Sequence, residues 1–293
     1  YTYYTLNKTL DMASDAETVE MDLLLMPGIN KVELTDKMIS VCDERQDSLA
    51  IIDLESAFTP VGEATPANIG VGSTTAVISS ARSRNFNSSY AAAYHPWVRV
   101  RAKGQSIIAD CPPSVAACGA IARSQALSAP WFAPAGFNRG GIGQLGGSAG
   151  PNVTSLTETL NKANRDDLYQ IDINPIARLQ GEFVIFGQKT LQQTPSALDR
   201  INVRRMMIDL KKKIGRIANT ILFDQNIQVT WNKFKNKSER VLSKIKAGGG
   251  ITEYKIILDA STTTPSLQDR NIMYAKIYIK PAKAIEFIAV DFI

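Results

Sequence analysis

The chain has 293 residues, 44% of them hydrophobic and 21% charged, an ordinary balance for a globular protein with enough length for one large domain or two smaller ones. No apolar run reaches the roughly eighteen residues of a membrane-crossing helix, which excludes a spanning segment of that kind. The net charge of +5 is segregated: residues 1–60 carry 12 acidic and 4 basic side chains, residues 199–246 carry 13 basic and 4 acidic.

Tyr1 to Thr5 read as a strand entered partway. With no Met at position 1 and no basic-then-apolar leader, the sequence predicts a longer protein whose upstream part lies before Tyr1. Leu6 to Met12 reads as a short helix. Met21 to Met26 is an apolar strand stopped by Pro27-Gly28, Glu33 to Glu44 has helical spacing in Leu34, Met38 and Val41, and Leu49 to Leu54 is a second apolar strand. Strand, helix, strand with short links is a βαβ unit, and nearly continuous apolar strands predict a parallel sheet covered on both faces. Thr59 to Gly72 is a Pro- and Gly-punctuated connection, and Tyr90 to Pro96 and Val98 to Val100 are further strand material broken by the proline. Pro112-Pro113-Ser114 opens a helix to about Leu127, with prolines in the first turn. A long glycine-rich loop from Trp131 to Gly150, a short helix from Leu156 to Lys162 and a buried strand from Glu182 to Gly187 follow.

Residues 199–222 are the most strongly patterned stretch. Val203, Met207, Leu210, Ile214, Ile217 and Ile221 recur at steps of four and three, the period of an apolar helical seam, while Arg205, Lys212 and Arg216 fall on the far side. The stripe is either a solvated face or a docking surface for an acidic partner. A second basic helix, Asn232 to Ala247, ends at Gly248-Gly249-Gly250. Ile251 to Asp259, Ile272 to Ile279 and Ile285 to Phe292 then alternate as strands do, the last apolar on both faces and therefore in need of a partner. Nucleic acid is a weak partner for the stripe, which lacks interleaved aromatics and any helix-turn-helix or finger pattern. Segregated charge suits identical copies meeting head to tail.

Enzyme motifs match as strings and fail in context. Gly141, Gly143 and Gly146 spell a dinucleotide fingerprint without a preceding strand or a following helix. Gly146 to Gly150 spells GxSxG without the strand-to-helix turn that exposes a nucleophile. His95, the only histidine, sits among Tyr94, Pro96 and Trp97 and reads as a packed structural residue. Asp166-Asp167 lie in a polar stretch that implies no cleft. Cys42, Cys111 and Cys118 form no CxxC pair and read as reduced, packed thiols, so neither a metal nor a cofactor is expected.

The chain resembles the contractile tail sheath proteins of bacteriophages. The resemblance is carried by Leu23 to Gly28, Cys42 to Asp47 with Ile52-Asp53, Tyr90 to Trp97, Pro112-Pro113-Ser114, Trp131 to Gly136, Leu156-Thr157 and Gly187 to Leu191. Asp199 to Arg205 followed by Phe223-Asp224-Gln225-Asn226, then Trp231 and Glu286-Phe287-Ile288, is its most diagnostic part. The motifs run in order over nearly the whole chain. Where the family carries Arg-Thr-Asp after the early helix, this sequence has Arg123-Ser124-Gln125, which removes the carboxylate of a local salt bridge.

The resemblance implies an α/β fold: a mixed, largely parallel sheet flanked by helices over residues 1–190, with subtilisin-like topology and no catalytic triad. Residues 191–293 would be a C-terminal α+β domain with basic helices and a strand arm. It implies stacked rings of identical subunits around a tail tube, with baseplate and tail terminator proteins as further partners, no direct nucleic acid and no membrane insertion. Such a sheath is assembled in the host cytoplasm, resides in the virion tail and contracts to drive the tube through the host envelope; no enzyme activity and no cofactor are implied. Arg205, Lys211, Lys212, Lys213 and Arg216 would face the tube. Ile285, Phe287, Ile288, Val290 and Phe292 would form a strand donated to a neighbouring subunit. Open alternatives are the sheath of a tailocin or type VI secretion system, and a hydrolase with a subtilisin-like core.

Overall fold

The computed structural model describes residues 1–60, 70, 72–101, 107–143 and 152–286. They form two compact units, Tyr1–Arg205 and Met206–Ile293. The first unit contains, in chain order, α1 (Thr2–Ala13), β1 (Leu23–Leu25), α2 (Val32–Arg45), β2 (Leu49–Ile52), α3 (Thr74–Arg84), β3 (Ala91–His95), β4 (Val98–Arg101), β5 (Ile108–Cys111), α4 (Pro113–Leu127), α5 (Gly136–Arg139), β6 (Val153–Leu156), α6 (Lys162–Gln170), β7 (Ile173–Leu179) and β8 (Glu182–Ile185). α7 (Ile201–Asn219) begins in the first unit and continues into the second, which adds α8 (Gln228–Ala247), β9 (Ile251–Ile257), α9 (Pro265–Asp269) and β10 (Lys276–Pro281).

β2 and β3 are buried at every position, as strands covered on both faces must be. They sit inside a sheet of order β1-β2-β3-β7-β8, in which the first three pairings are parallel and β7 meets β8 antiparallel. The expectation of a mixed, largely parallel α/β sheet therefore holds. Side chains alternate across a strand. Ala50, Ile52, Ala91, Ala93 and Ile173 share one core with Leu34 and Met38 of α2, Val77 and Ala81 of α3 and Leu168 of α6. The alternate residues Leu49, Ile51, Ala92 and Tyr94 are buried as well, and α4 packs against β1, β2 and β3.

Two expectations change in this unit, and the pairing of β4 and β7 adds what the sequence did not show. Residues 2–13 form the helix α1, not a strand followed by a helix: Leu10 is 1% exposed and α1 packs on α2, so tertiary burial overrides the local strand preference of a Tyr- and Thr-rich start. β4, on the far side of Pro96 from β3, pairs antiparallel with β5 and β6 in a second sheet. The helix expected at Leu156–Lys162 begins only at Lys162, where Asn161 caps it by accepting from Asn164 N at 2.7 Å; Leu156 ends β6. The central strand β7, which went unread, carries Pro175 at the last of its parallel pairs with β3, just before its antiparallel pairing with β8 begins at Ile176.

In the second unit, Ile214, Ile217 and Ile221 of the predicted seam pack with Trp231, Phe234, Leu258, Met273 and Ala275. β9 and β10 pair antiparallel, Ile256 opposite Ile277 and Tyr254 opposite Ile279. The strand expected from Ile272 starts at Lys276, because Met273 and Ala275 are packed on the helical core and Tyr274 N donates to Thr263 Oγ1 at 3.1 Å. Of the expected last strand, Ile285 lies outside any strand and is 83% exposed, and Phe287, Ile288, Val290 and Phe292 lie outside the described residues.

Candidate docking helix and the polar ties behind it

α7 has two parts. Ile201, Asn202, Val203, Arg204, Arg205 and Met206 are all buried, so its first turn and a half is enclosed on every side. Asn202 Nδ2 donates to the Trp131 carbonyl at 3.1 Å. The Arg204 guanidinium stacks 3.9 Å over the Tyr90 ring and donates to Ser89 Oγ. Asp43 faces Arg204 and accepts from Ser88 Oγ at 2.6 Å; burial nevertheless pushes its carboxyl above the ordinary carboxylate value. Arg205 donates to Gln125 Oε1 on α4. Gln125 thus receives a buried arginine through a neutral hydrogen bond.

This corrects one expected site residue. Arg205 falls on the same helical side as Lys212 and Arg216, but it is only 7% exposed and turned into the first unit, so it is an anchor and not part of an outward stripe. From residue 211 onward the helix is amphipathic as its period predicts. Lys211 and Arg216 are exposed, and Lys212 and Lys213 half-buried. Lys213 pairs with Asp209 one turn earlier at 2.6 Å. Four cations thus remain on the candidate surface.

The motifs that carry the resemblance converge on buried polar ties. Asp53, at the end of β2 and 1% exposed, accepts from Gly28 N at 2.9 Å, from Ser114 N at 3.1 Å and from Ser114 Oγ at 2.7 Å. One carboxylate therefore holds the Pro27-Gly28 turn and caps α4, and burial raises its pKa against these three bonds. Arg45, at the end of α2, binds Asp47 through two nitrogens and donates to the carbonyls of Ala13, Asp15 and Val19, fastening the chain that leaves α1. Asn174 of β7 bonds the Ala93 carbonyl and both backbone groups of Lys189, which docks the Gly187 to Leu191 segment.

Ser114 and His95 are engaged apart from one another. Ser114 spends its hydroxyl on Asp53, whereas His95 Nε2 lies 3.1 Å from Thr74 Oγ1 and 3.5 Å from Glu158. Glu158 caps α3 by accepting from Thr74 N at 2.9 Å. Hydrogen bonding to His95 and to Thr74 holds the Glu158 carboxyl below its ordinary value. Gly141 and Gly143 form bridges to Val184 and Val153, not a phosphate loop, and Gly146 to Gly150 lie outside the described residues. Among the described residues no group of three His, Cys, Asp or Glu could hold a metal ion, and no helix is long and apolar enough to cross a membrane.

Nothing in the sequence marks Arg204 as buried or the tip between α7 and α8 as exposed. Arg204 lies within the Asp199 to Arg205 motif, but an arginine on a basic helix carries no local sign that it is buried. Leu222 follows the seam, which ends at Ile221, and Phe223 opens a motif of the resemblance; only the fold shows both turned outward.

Residues 4–191 match the phage tail sheath protein central domain and residues 193–293 the phage tail sheath C-terminal domain. A tail sheath protein of Enterobacteria phage T4 is 33% identical over 97% of this chain and 43% of the relative, and one of Vibrio phage KVP40 is 42% identical over 60% of this chain and 25% of the relative. The chain thus spans less than half the length of these curated relatives. Among solved structures, the baseplate of the anti-feeding prophage aligns with a TM-score of 0.75 at 16% identity, covering 97% of this chain and 72% of that one. The PVC sheath complex of an extracellular contractile injection system, in its contracted state, aligns at 0.70 and 19% identity over 94% and 71%. These two share the fold. With the two sheath domains matched over nearly the whole chain and the motif residues serving as the ties of that fold, the chain belongs to the phage tail sheath protein family.

Proposed function

We propose that this chain is the structural subunit of a contractile phage tail sheath, which polymerises around the tail tube in the host cytoplasm and contracts to drive the tube through the host envelope. The observation that carries this reading is the ordered match of both sheath domains over nearly the whole chain. In this reading the subunit acts through its surfaces, in keeping with the structural family to which it belongs. Contraction needs no cofactor: the free energy lies in an extended lattice that repacks into a shorter one while each subunit stays folded. The sheath of a related injection machine shares this physics. The phage reading is favoured because the relatives identified by sequence are phage proteins, whereas the injection-system structures are under 20% identical.

Lys211, Lys212, Lys213 and Arg216 face an acidic tail tube in this reading, and baseplate and terminator proteins cap the polymer. Exposed ion pairs contribute under about 1 kcal/mol each, so docking depends on repetition over many subunits. Residues 285–293 pair with the open edge of a two-stranded sheet such as β9–β10 on a neighbour, which supplies backbone partners that a lone terminal strand lacks. Co-expression with the cognate tube protein, followed by electron microscopy, tests the whole: tubes coated with a regular sheath are expected, and bare tubes with monomeric protein would overturn it. Deleting residues 285–293 should leave a soluble subunit that forms no polymer. Normal polymers from the truncated protein would remove the arm from the scheme.

A further inference from the structure

The loop joining α7 to α8 turns apolar side chains outward. Phe223 is fully exposed, and Leu222, Ile227 and Val229 are 61%, 49% and 71% exposed. This is not a loosely held segment. Asn226 accepts from Trp231 Nε1 at 2.7 Å, Asp224 pairs with Lys233 at 3.0 Å, and the Asp224 amide bonds the Ile221 carbonyl. Phe223 also sits at φ +69°, a left-handed conformation that a bulky aromatic residue adopts at a cost. A fixed, strained loop that turns its apolar groups outward is built for contact.

The first unit carries the complementary patch. The outer face of α1 presents Tyr4 and Met12, 75% and 67% exposed, with Thr5, Lys8 and Thr9 between them. Residues 1–22 hold five acidic and one basic side chain, whereas residues 211–240 hold eight basic and two acidic. We propose that the α7–α8 tip of one copy docks through Phe223 and Leu222 on the Tyr4–Lys8–Met12 face of α1 of a second copy. The contact is heterologous, so it propagates from copy to copy and does not close a pair. It rests on the reading that this chain assembles with copies of itself, and it is too small to hold two molecules alone.

The test places a photo-crosslinking benzoylphenylalanine at Phe223 in an equimolar mixture of ¹⁴N- and ¹⁵N-labelled chains, with particle size read in parallel by light scattering. Mixed-isotope cross-links from residue 223 to peptide 1–13 are expected, and Phe223→Asp should weaken self-association about tenfold while leaving the circular dichroism spectrum unchanged. Assembly in which residue 223 cross-links to another segment, or in which Phe223→Asp associates normally, overturns this contact and leaves the sheath reading intact. Absence of any self-association overturns both.

Discussion

The two ends of α7 belong to one continuous helix and obey opposite rules. At its start, Arg204 and Arg205 are buried and matched, one stacked on Tyr90 near Asp43 and the other bonded to Gln125. From residue 211 on, cations stand on an outer face above an apolar seam of Ile214, Ile217 and Ile221. Arginine in a desolvated pocket fixes geometry through its planar donors, whereas lysine at a surface supplies charge at little structural cost. The first part therefore belongs to folding and the second to association.

The largest effect should come from the anchor. Arg204→Ala removes a stacked cation and leaves Tyr90 and Asp43 facing a void, so unfolding free energy should fall by about 3 kcal/mol. Chemical denaturation reads this directly. A loss below about 1 kcal/mol would mean that the first turn is not the anchor and would erase the contrast between the two ends.

Acid should act through the carboxylates that hydrogen bonds hold below their ordinary value, Glu158 in the first unit among them. Glu158, held below its ordinary value by His95 and Thr74, contributes stability that is present above that ordinary value and is lost as pH falls through the lowered folded one. Glu158→Gln should flatten this part of the acid-unfolding curve, by at most about 1 kcal/mol because the carboxylate is partly solvated. An unchanged curve would remove Glu158 as the source of acid sensitivity.

The sequence made one end of α7 readable and hid the other. The seam at 214, 217 and 221 follows from period alone, since one side of that half faces a core and the other faces away. At 201–206 the helix is enclosed all round, and a period says nothing about a segment buried on every side; hence Arg205 was read as outward. The same distinction governs the rest of the fold. β1, α2 and β2 were legible because their apolar residues contact the core directly. α3 was missed because TTAVISSARSR is rich in Ser and Thr, which compete for the backbone, and its start depends on Ser73 and Glu158, one of them 84 residues away from the residue it caps. β7 was missed because a proline inside a strand is tolerated only where the strand changes partners, which is a property of topology. The site motifs were visible as strings, but their convergence on Asp53, Arg45 and Asn174 is a fact of three dimensions.

The smallest effect on stability should accompany the largest effect on assembly. Lys212→Glu with Arg216→Glu changes two side chains outside the buried seam, so thermal unfolding should move by no more than about 0.5 kcal/mol. On a tube whose surface is acidic, the same pair converts attraction into repulsion at every subunit, and repetition multiplies a weak term into an all-or-none outcome. The double variant should therefore fold normally, form tube-free polymers and fail to coat tubes; raising salt should weaken coating by the native protein in the same direction, because exposed pairs are screened. If the variant coats tubes as the native chain does, the outer half of α7 is only a solvated face. If it unfolds with the severity of Arg204→Ala, its charges belong to the fold and the division of the helix into anchor and docking surface is wrong.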